Sequence, residues 1–369
     1  MNKRMIILSY TYKNNNEEVP FMSSILDHDT VSLDEGKNAL VIIDQTLLPT
    51  RTVMLKLTDL KDIWDAIYLL KVRGAPAIGV AAAIGMYVVS SRYDTDDNDE
   101  FLTRFIKDKE YLNSSRPTAV NLSWALNRME KVLRDNSDLP LSDLKNRLKE
   151  ESLAILNEDK DMCYRIGENA LSLLNKGDGL LTHCNAGQLA TSKYGTATSA
   201  MYLGHQRGYG FKIYCDETRP LLQGARLTSY ELSSAGMDVT VLCDNMVSSL
   251  MREGRINAVL VGCDRVAANG DVANKIGTSV VATVAKRYGV PFYVCAPSST
   301  IDPSVKCGSD IVIEQRPADE VTKMWYKEPM APDNVKVYNP AFDITDNELI
   351  TAIITERGIL RAPYEFKNA

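Results

Sequence analysis

The sequence lacks the features that would mark a disulfide scaffold, a zinc protein or a nucleic-acid-binding protein. Its seven cysteines include no C-x-x-C pair, so they predict neither a disulfide framework nor a zinc site and are typical of reduced, cytosolic thiols. It has no long basic run and a net charge of −6, which argues against nucleic acid as the main partner.

Membrane, secretion and cofactor signals are missing as well. The longest apolar stretch, residues 75–89, is shorter than a membrane span, and the apolar run near the start is too short for a signal peptide. No G-x-G-x-x-G follows the first strand of the C-terminal part, and no cluster of metal ligands is present. We therefore expect a cytoplasmic protein that needs neither a nicotinamide cofactor nor a metal.

The chain is long for a single domain. Its 369 residues are 45% hydrophobic and 24% charged, which is ordinary for a globular protein, and the length favours two domains. A polar break at residues 134–138, followed by Leu139-Pro140, places the boundary near residue 145. The expected domains are 1–145 and 146–369.

The N-terminal third predicts three strands and four helices. The strands are expected at residues 5–12, 39–44 and 52–57. Helices are predicted at 58–72 with Thr58 as the N-cap, at 75–89 with Pro76 in the first turn, from a start at residues 114–118, and at about 141–175.

One pattern repeats five times in the C-terminal two thirds: an apolar strand, a polar loop and a helical segment. The strands are predicted at residues 180–184, 211–215, 239–243, 259–263 and 291–295. This repetition is the signature of an α/β fold with a doubly wound parallel sheet. Such sheets bind ligands at the loops that follow the carboxyl ends of their strands.

The segment 262–278 carries the richest of these loops. An apolar run leads into it, and a segment with apolar residues at helical spacing follows it. Its polar side chains are those of Asp264, Arg265, Asn269, Asp271, Asn274 and Lys275. So many polar groups between two apolar elements favour a ligand site. A surface loop with an Asn269–Gly270 turn is the alternative.

Three cations stand where helices are predicted to begin: Arg73, Arg116 and Lys275. A cation at this end opposes the helix dipole by roughly 0.3–1 kcal/mol. Three such placements favour a bound anion, and a helix N-terminus is a natural phosphate site. The alternative is that each cation is simply solvated.

Cys184 and Asp264 are the candidate reactive residues. Neighbouring residues of a strand point to opposite faces, so His183 is not expected to be the base that activates Cys184. Asp264 follows an apolar strand, where burial would raise its pKa and let it act as an acid. The alternatives are a buried structural thiol and a surface aspartate in a turn.

Taken together, several motifs resemble the methylthioribose-1-phosphate isomerase family, from about residue 38 to the end. In that family a small N-terminal α/β domain packs on a Rossmann-like domain, and the protein is a homodimer. The motifs are Asp44-Gln-Thr-Leu-Leu-Pro49, Arg73-Gly-Ala-Pro-Ala-Ile-Gly79, Arg116-Pro-Thr-Ala-Val-Asn-Leu122, Thr182-His-Cys-Asn-Ala-Gly187, Asp216-Glu-Thr-Arg-Pro-Leu-Leu-Gln-Gly-Ala-Arg226, the segment 262–278 and Tyr338-Asn-Pro-Ala-Phe-Asp343.

The resemblance implies isomerisation of 5-methylthioribose 1-phosphate to 5-methylthioribulose 1-phosphate, in methionine salvage. It implies that Cys184 and Asp264 are catalytic. The residues that it assigns to substrate binding are Arg73, Gly74, Ala75, Arg116, Gln223, Asn274 and Lys275.

Some segments depart from the family pattern. Gln188 and residues 320–336 are atypical and fit a paralogue that acts on 5-deoxyribose 1-phosphate, and residues 1–35 also differ from the usual start. Ribose 1,5-bisphosphate isomerases are related too, but would need basic groups for a second phosphate. The family is also similar to non-catalytic regulatory subunits of a translation-initiation exchange factor, which are not expected to keep both Cys184 and Asp264.

Overall fold

Four antiparallel strands open the described part of the chain. A computed structural model describes residues 17–18, 28–117, 119–364 and 366. The predicted strands at 39–44 and 52–57 are confirmed, whereas the predicted strand at 5–12 lies outside the described residues. In the sheet order β1-β4-β3-β2, the strands are β1 (Glu17–Glu18), β2 (Val31–Asp34), β3 (Ala39–Ile43) and β4 (Val53–Leu57).

Five helices follow this sheet. The first begins after Asp59, whose carboxylate accepts a hydrogen bond from the Lys61 amide at 2.9 Å, so the prediction of Thr58 as its N-cap is wrong. It also ends earlier than expected, because Leu70 takes a left-handed φ of 60°. The helices are α1 (Leu60–Tyr68), α2 (Ala75–Ser90), α3 (Asn98–Asn113), α4 (Val120–Asp135) and α5 (Leu141–Leu171).

Helix α2 is the buried centre of the N-terminal core, and every residue from 77 to 86 is buried. This confirms the predicted buried helix, with Pro76 in its first turn. Helix α3 is not predicted from the sequence because seven of its 16 residues are charged, yet it buries Phe101, Phe105 and Leu112 in the same core. None of the described helices is both long and apolar enough to cross a membrane.

Helix α5 belongs to two hydrophobic cores. Its first half places Leu144 and Leu148 in the N-terminal core, and its second half places Ile166 and Ala170 in the core on one face of the large sheet. The expected boundary near residue 145 falls inside this continuous helix. The division into domains 1–145 and 146–369 stays a prediction.

Eleven further strands and five helices form the rest of the described chain. The strands are β5 (Gly179–Thr182), β6 (Lys212–Asp216), β7 (Asp238–Leu242), β8 (Ala258–Val261), β9 (Arg265–Ala267), β10 (Val272–Lys275), β11 (Phe292–Cys295), β12 (Ile301–Asp302), β13 (Phe342–Thr345), β14 (Ala352–Thr355) and β15 (Gly358–Leu360). The helices are α6 (Ser199–Gln206), α7 (Ser229–Ser234), α8 (Val247–Arg252), α9 (Thr278–Tyr288) and α10 (Asp319–Thr322).

The large sheet has the order β15-β14-β11-β8-β5-β6-β7 and confirms the expected α/β fold. Its strands pair in parallel, apart from β15 at one edge. From β5 the chain adds β6 and β7 on one side and then returns to β8 on the other side. Such a reversal opens a crevice between the loops that follow the two central strands. The loops after β5 and β8, which carry Cys184 and Asp264, flank this crevice.

The segment 262–278 is not the simple polar loop that its sequence predicts. It contains the hairpin of β9 and β10, which joins β12 and β13 in a second sheet of order β12-β9-β10-β13. Gly270 turns the hairpin with a φ of 92°, and Val266 and Val272 are fully buried. As a result Lys275 ends a strand, three residues before α9, and does not itself begin a helix.

One carboxylate on α5 makes stability depend on pH. Asp159 is buried and accepts the Ser192 amide at 2.6 Å, and burial raises its pKa from 3.8 to about 6. Because the folded state binds this proton more tightly, the stabilisation is complete below pH 3.8 and is lost as pH rises through 6. A shift of about two units corresponds to about 3 kcal/mol at most.

We therefore expect Asp159→Asn to gain about 2 kcal/mol of stability relative to the parent protein as pH rises from 4.5 to 7.5, since part of the total effect has already occurred at pH 4.5. Asparagine keeps an oxygen for the Ser192 amide but does not ionise. Urea unfolding of both proteins across this pH range measures the difference. A difference that stays constant with pH would contradict the assignment of the shift to Asp159.

Candidate active site

Cys184 lies two residues after the end of β5 in a strained backbone conformation. Its φ of 66° is a value that residues other than glycine rarely adopt. Two threonines hold it there: the Cys184 amide donates to Thr218 Oγ1 at 2.8 Å, and Thr228 Oγ1 donates to the Cys184 carbonyl at 2.6 Å. The residue is only 9% exposed. The connection between β6 and α7, which carries both threonines, therefore fixes the position of the predicted reactive thiol.

Both ring nitrogens of His183 contact groups other than Cys184. Its Nδ1 lies 3.0 Å from Asp216 Oδ2, and its Nε2 lies 2.9 Å from the carbonyl oxygen of Ile276. Both nitrogens are thus engaged, which agrees with the expectation that His183 is not the base for Cys184.

His183, Asp216 and Asp244 bring three potential metal ligands within 4.8 Å of one another. Most of their atoms already have partners, although Asp216 Oδ1 is buried without one among the described residues. The two oxygens of Asp244 accept the amides of Thr218 and Arg219 at 2.7 and 2.8 Å, and Asp216 faces the imidazole. This pairing favours a hydrogen-bonded network over a cation site.

Asp264 stands at the mouth of β8, where the hairpin holds it through a hydrogen bond from its amide to the Ala273 carbonyl at 2.9 Å. Solvent reaches its side chain from the crevice. Surrounding protein atoms nevertheless desolvate the carboxyl enough to raise its pKa, while the charges of Lys275, Arg73 and Arg116 act in the opposite direction. The charges of all three predicted cations therefore act on the predicted acid.

Arg73 and Gly74 pack against the loop that follows Cys184. Arg73 Nη1 donates to Asn185 Oδ1 at 3.3 Å. Gly74 has a φ of 94°, and a Cβ at this position would lie 2.4 Å from the backbone of Ala190. Only glycine fits here, because a side chain would push α2 away from the loop. Ala75, the first residue of α2, is exposed beside them.

Arg116 and Lys275 are the other two cations whose charges act on Asp264. Burial lowers the pKa of Arg116, and the charges around it include those of Glu314, Arg73 and Asp264. Lys275 Nζ lies 4.5 Å from the ring centre of Phe342, its partner across β10 and β13. Within the described chain, neither cation has a carboxylate in ion-pair contact, so both charges are available to an anion.

Asn274 and Gln223 are both 5% exposed. Asn274 Nδ2 donates to Thr278 Oγ1 at 3.0 Å, which ties β10 to the first residue of α9. Gln223 precedes a π-helical turn, Gly224–Thr228, and its Oε1 is buried with no hydrogen-bond partner in the described part of the chain. A buried acceptor of this kind calls for a donor that the protein does not supply. Gln223 shares no hydrogen bond with the other candidate residues among those described.

Glu231 on α7 is a residue of the site that the sequence pattern does not predict. It is fully buried, and its carboxylate accepts the Leu189 amide at 3.0 Å and Asn185 Nδ2 at 3.4 Å. Burial raises its pKa to about 8. A Cβ on Gly187 would lie 1.4 Å from Glu231 Oε1, so the glycine of Asn185-Ala-Gly187 is the available sequence signal. Through Asn185, Glu231 orients the amide that receives Arg73.

Comparison with known proteins places this site in a family. Residues 71–362 match the family described as Initiation factor 2 subunit family. A methylthioribose-1-phosphate isomerase from Parabacteroides distasonis is 63% identical over 88% of this chain and 97% of its own. A 5-deoxyribose 1-phosphate isomerase from Petrotoga mobilis is 55% identical over 91% and 96%.

A solved structure agrees with these relatives. The crystal structure of 5-methylthioribose 1-phosphate isomerase from Pyrococcus horikoshii OT3 superposes with a TM-score of 0.88 at 41% identity, covering 93% of this chain and 95% of that one. The chain therefore belongs to the initiation factor 2 subunit family, in which it resembles the methylthioribose-1-phosphate isomerases.

Proposed function

We propose that the protein is an aldose–ketose isomerase that converts 5-methylthioribose 1-phosphate to 5-methylthioribulose 1-phosphate in methionine salvage. The observation that carries the proposal is the convergence of Arg73, Arg116 and Lys275 on Asp264 at the crevice. Three cations suit a phosphate dianion, and a carboxyl among them suits the acid that a phosphorylated sugar requires. The similarity to isomerases of such sugars supports the same substrate class.

The substrate demands an acid. Phosphate on C1 blocks the free anomeric hydroxyl, so the ring cannot open by the usual route. Asp264 donates a proton to the ring oxygen as the C1–O bond breaks, and the ring oxygen becomes a hydroxyl. Its raised pKa favours the protonated carboxyl that this step needs.

Hydrogen then moves from C2 to C1. In one route Cys184 removes the C2 proton and a phosphoenolate forms; in the other, hydride shifts directly to C1 beside a neutral Cys184. In both routes the C2 hydroxyl becomes the ketone and gives its proton to Asp264, and in the first route the Cys184 thiol also returns its proton to C1. The nearly buried position of Cys184 supports a role in either route.

The remaining predicted residues bind the substrate in this proposal. Gly74 and Ala75 let α2 present its first amides to the phosphate, as helix N-termini commonly do. Gln223 and Asn274 supply hydrogen bonds to the sugar, and the unpaired Oε1 of Gln223 suits a sugar hydroxyl.

Conversion of 5-deoxyribose 1-phosphate is the second candidate function. It is supported by the Petrotoga mobilis relative and by the atypical segment 320–336. That segment packs on the loop carrying Gln223: Trp325 Nε1 donates to the Pro220 carbonyl at 2.6 Å, and Arg226 lies over the Trp325 ring. A ribose 1,5-bisphosphate isomerase and a non-catalytic regulatory subunit are the remaining alternatives.

We also propose a homodimer in the cytoplasm. Strand β7 is an edge of the large sheet, and Val241 on it is about half exposed, as is Met246 just beyond. An apolar edge of this kind suits a second copy of the chain. The seven free cysteines suit a reducing compartment.

The test of the function is a comparison of kcat/KM for 5-methylthioribose 1-phosphate, 5-deoxyribose 1-phosphate and ribose 1,5-bisphosphate. We expect the methylthio sugar to be best and the deoxy sugar to react more slowly, since one small apolar group is worth a few kcal/mol at most. A preference for the deoxy sugar would select the second candidate. A preference for the bisphosphate, or no turnover of any of the three, would overturn the proposal.

Arg116→Ala is expected to raise KM about 10- to 100-fold, because one charge-assisted hydrogen bond to phosphate is worth about 1.5–3 kcal/mol. Steady-state kinetics with the methylthio sugar measures the change. Arg165→Ala, on the exposed face of α5, is the control, since it removes an arginine that pairs with Asp161. An unchanged KM in Arg116→Ala would remove this residue from the phosphate site.

A further inference from the structure

A buried histidine joins the loop of Cys184 to the strand end that carries Lys275. His183 is 1% exposed and directly precedes Cys184. Its Nε2 contacts the carbonyl of Ile276, the residue after Lys275, and its Nδ1 contacts Asp216. The proposed mechanism uses neither ring nitrogen.

The partners of the ring determine where its protons lie. A backbone carbonyl only accepts hydrogen bonds, so Nε2 must carry a proton and donate it to Ile276. One further proton is then shared between Nδ1 and Asp216 Oδ2. Burial alone would lower the pKa of His183, but the hydrogen bond and charge of Asp216 outweigh it and raise the pKa. The imidazole is thus held as a donor on both sides.

The ring also packs on the turn that leads into α9. Gly277 has a φ of 102°, and a Cβ there would lie 2.9 Å from His183 Cε1. The turn is capped from the other side by Asp343, whose Oδ2 accepts the Gly277 amide at 2.8 Å. The contacts with His183 and Asp343 therefore hold the backbone turn just after Lys275 in place.

A second set of hydrogen bonds fixes Cys184 from the other side. Asp244 accepts the Thr218 amide at 2.7 Å, and Thr218 Oγ1 in turn accepts the Cys184 amide at 2.8 Å. Thr218 itself has a left-handed φ of 63°. Two adjacent residues in the chain, His183 and Cys184, are thus anchored in different directions by separate carboxylates.

We propose that His183 is a positioning residue that holds Cys184 in register with Asn274 and Lys275 across the crevice. The inference rests on the proposed function, in which these residues act on one sugar phosphate. A misplacement of about 1 Å at a reacting centre can reduce a rate about 100-fold, so a clamp between the two loops affects catalysis without touching substrate. The positioning effect of His183 depends on the hydrogen bond between its Nε2 and the Ile276 carbonyl.

Two substitutions separate the hydrogen bond from His183 to Ile276 from the contact of His183 with Asp216. In His183→Gln the side-chain amide reaches the Nε2 position and can donate to Ile276; in His183→Asn it reaches only the Nδ1 position and contacts Asp216. We expect His183→Asn to raise KM and lower kcat, with kcat/KM falling about 10- to 100-fold. His183→Gln should recover most of this loss, although it leaves Asp216 without its cationic partner.

Asn257→Ala is the matched control for lost stability. Asn257 Oδ1 accepts the Gly179 amide at 2.7 Å, at the opposite end of the same strand β5. Its melting temperature should fall while kcat and KM stay at the parent values. If His183→Asn loses stability without any change in kcat/KM, or if His183→Gln is as impaired as His183→Asn, the positioning role is wrong.

An NMR measurement tests the clamp independently of the substrate. The chain has three histidines, so the imidazole signals of His183 can be assigned by comparison with His183→Asn. We expect a slowly exchanging Nε2 proton on His183 in the parent protein. A rapidly exchanging ring would overturn the inference even in an active enzyme. If the parent protein turns over none of the sugar phosphates while this proton is protected, the proposed function fails and the clamp geometry stands.

Discussion

Asp264→Asn is expected to lower kcat by roughly 10²–10⁴ while the substrate still binds. Asparagine keeps the size of the side chain and its hydrogen-bonding capacity, but it cannot donate a carboxylic proton to the ring oxygen. The change also removes a negative charge from among Arg73, Arg116 and Lys275. KM for the phosphorylated sugar should therefore stay level or fall. Such a split between kcat and KM distinguishes a lost acid from a damaged fold.

Asp271→Asn is the control for this variant. Asp271 lies just before β10 in the hairpin that follows Asp264, and its carboxylate forms structural hydrogen bonds. It accepts the amides of Gly308 and Asn347, each at 2.9 Å. We expect this substitution to lower the melting temperature and leave kcat near normal. A folded Asp264→Asn protein with near-normal kcat would remove Asp264 from the chemistry.

Cys184→Ser is expected to abolish most of kcat, with a loss comparable to that of Asp264→Asn. Serine has the same backbone requirements, so the left-handed φ and the hydrogen bonds to Thr218 and Thr228 should persist. What changes is the thiol. A serine hydroxyl is a much poorer acid and a more polar group to place beside the migrating hydrogen.

Cys295→Ser separates this effect from simple burial. Cys295 ends β11 and is fully buried, so its replacement should cost stability and spare kcat. The measurement is kcat and melting temperature for both cysteine variants and for the double variant with Asp264→Asn. The two catalytic losses should not multiply, because both groups act on one transition state. A stable Cys184→Ser protein with normal kcat would show that the thiol is structural.

The parallel sheet could be predicted because each of its central strands is a short apolar run that ends at a polar loop. Strand β8, for example, is buried along its whole length and stops at Gly262. The expectation that Arg73, Arg116 and Lys275 share a site rested on their placement at helix starts, a premise that fails for Lys275, which ends strand β10. Their roles in binding phosphate remain predictions.

The parts that the sequence did not reveal depend on residues far apart in the chain. Strands β9 and β10 are three and four residues long and become strands through pairing with β12 and β13. Glu231 would be expected on the surface of a helix, yet Asn185 and Leu189, more than 40 residues earlier, create its buried site. Periodicity within a window cannot report such contacts.

The long helix α5 has a consequence for how the protein can be divided. At 1.5 Å per residue its 31 residues form a rod about 46 Å long. Cutting the chain anywhere within it would expose an apolar stripe on whichever fragment lost the other half. Neither fragment could then fold on its own without aggregating, and the intact chain should melt in a single cooperative step. Circular permutants or split versions should be opened in surface turns such as residues 94–96, and never within this rod.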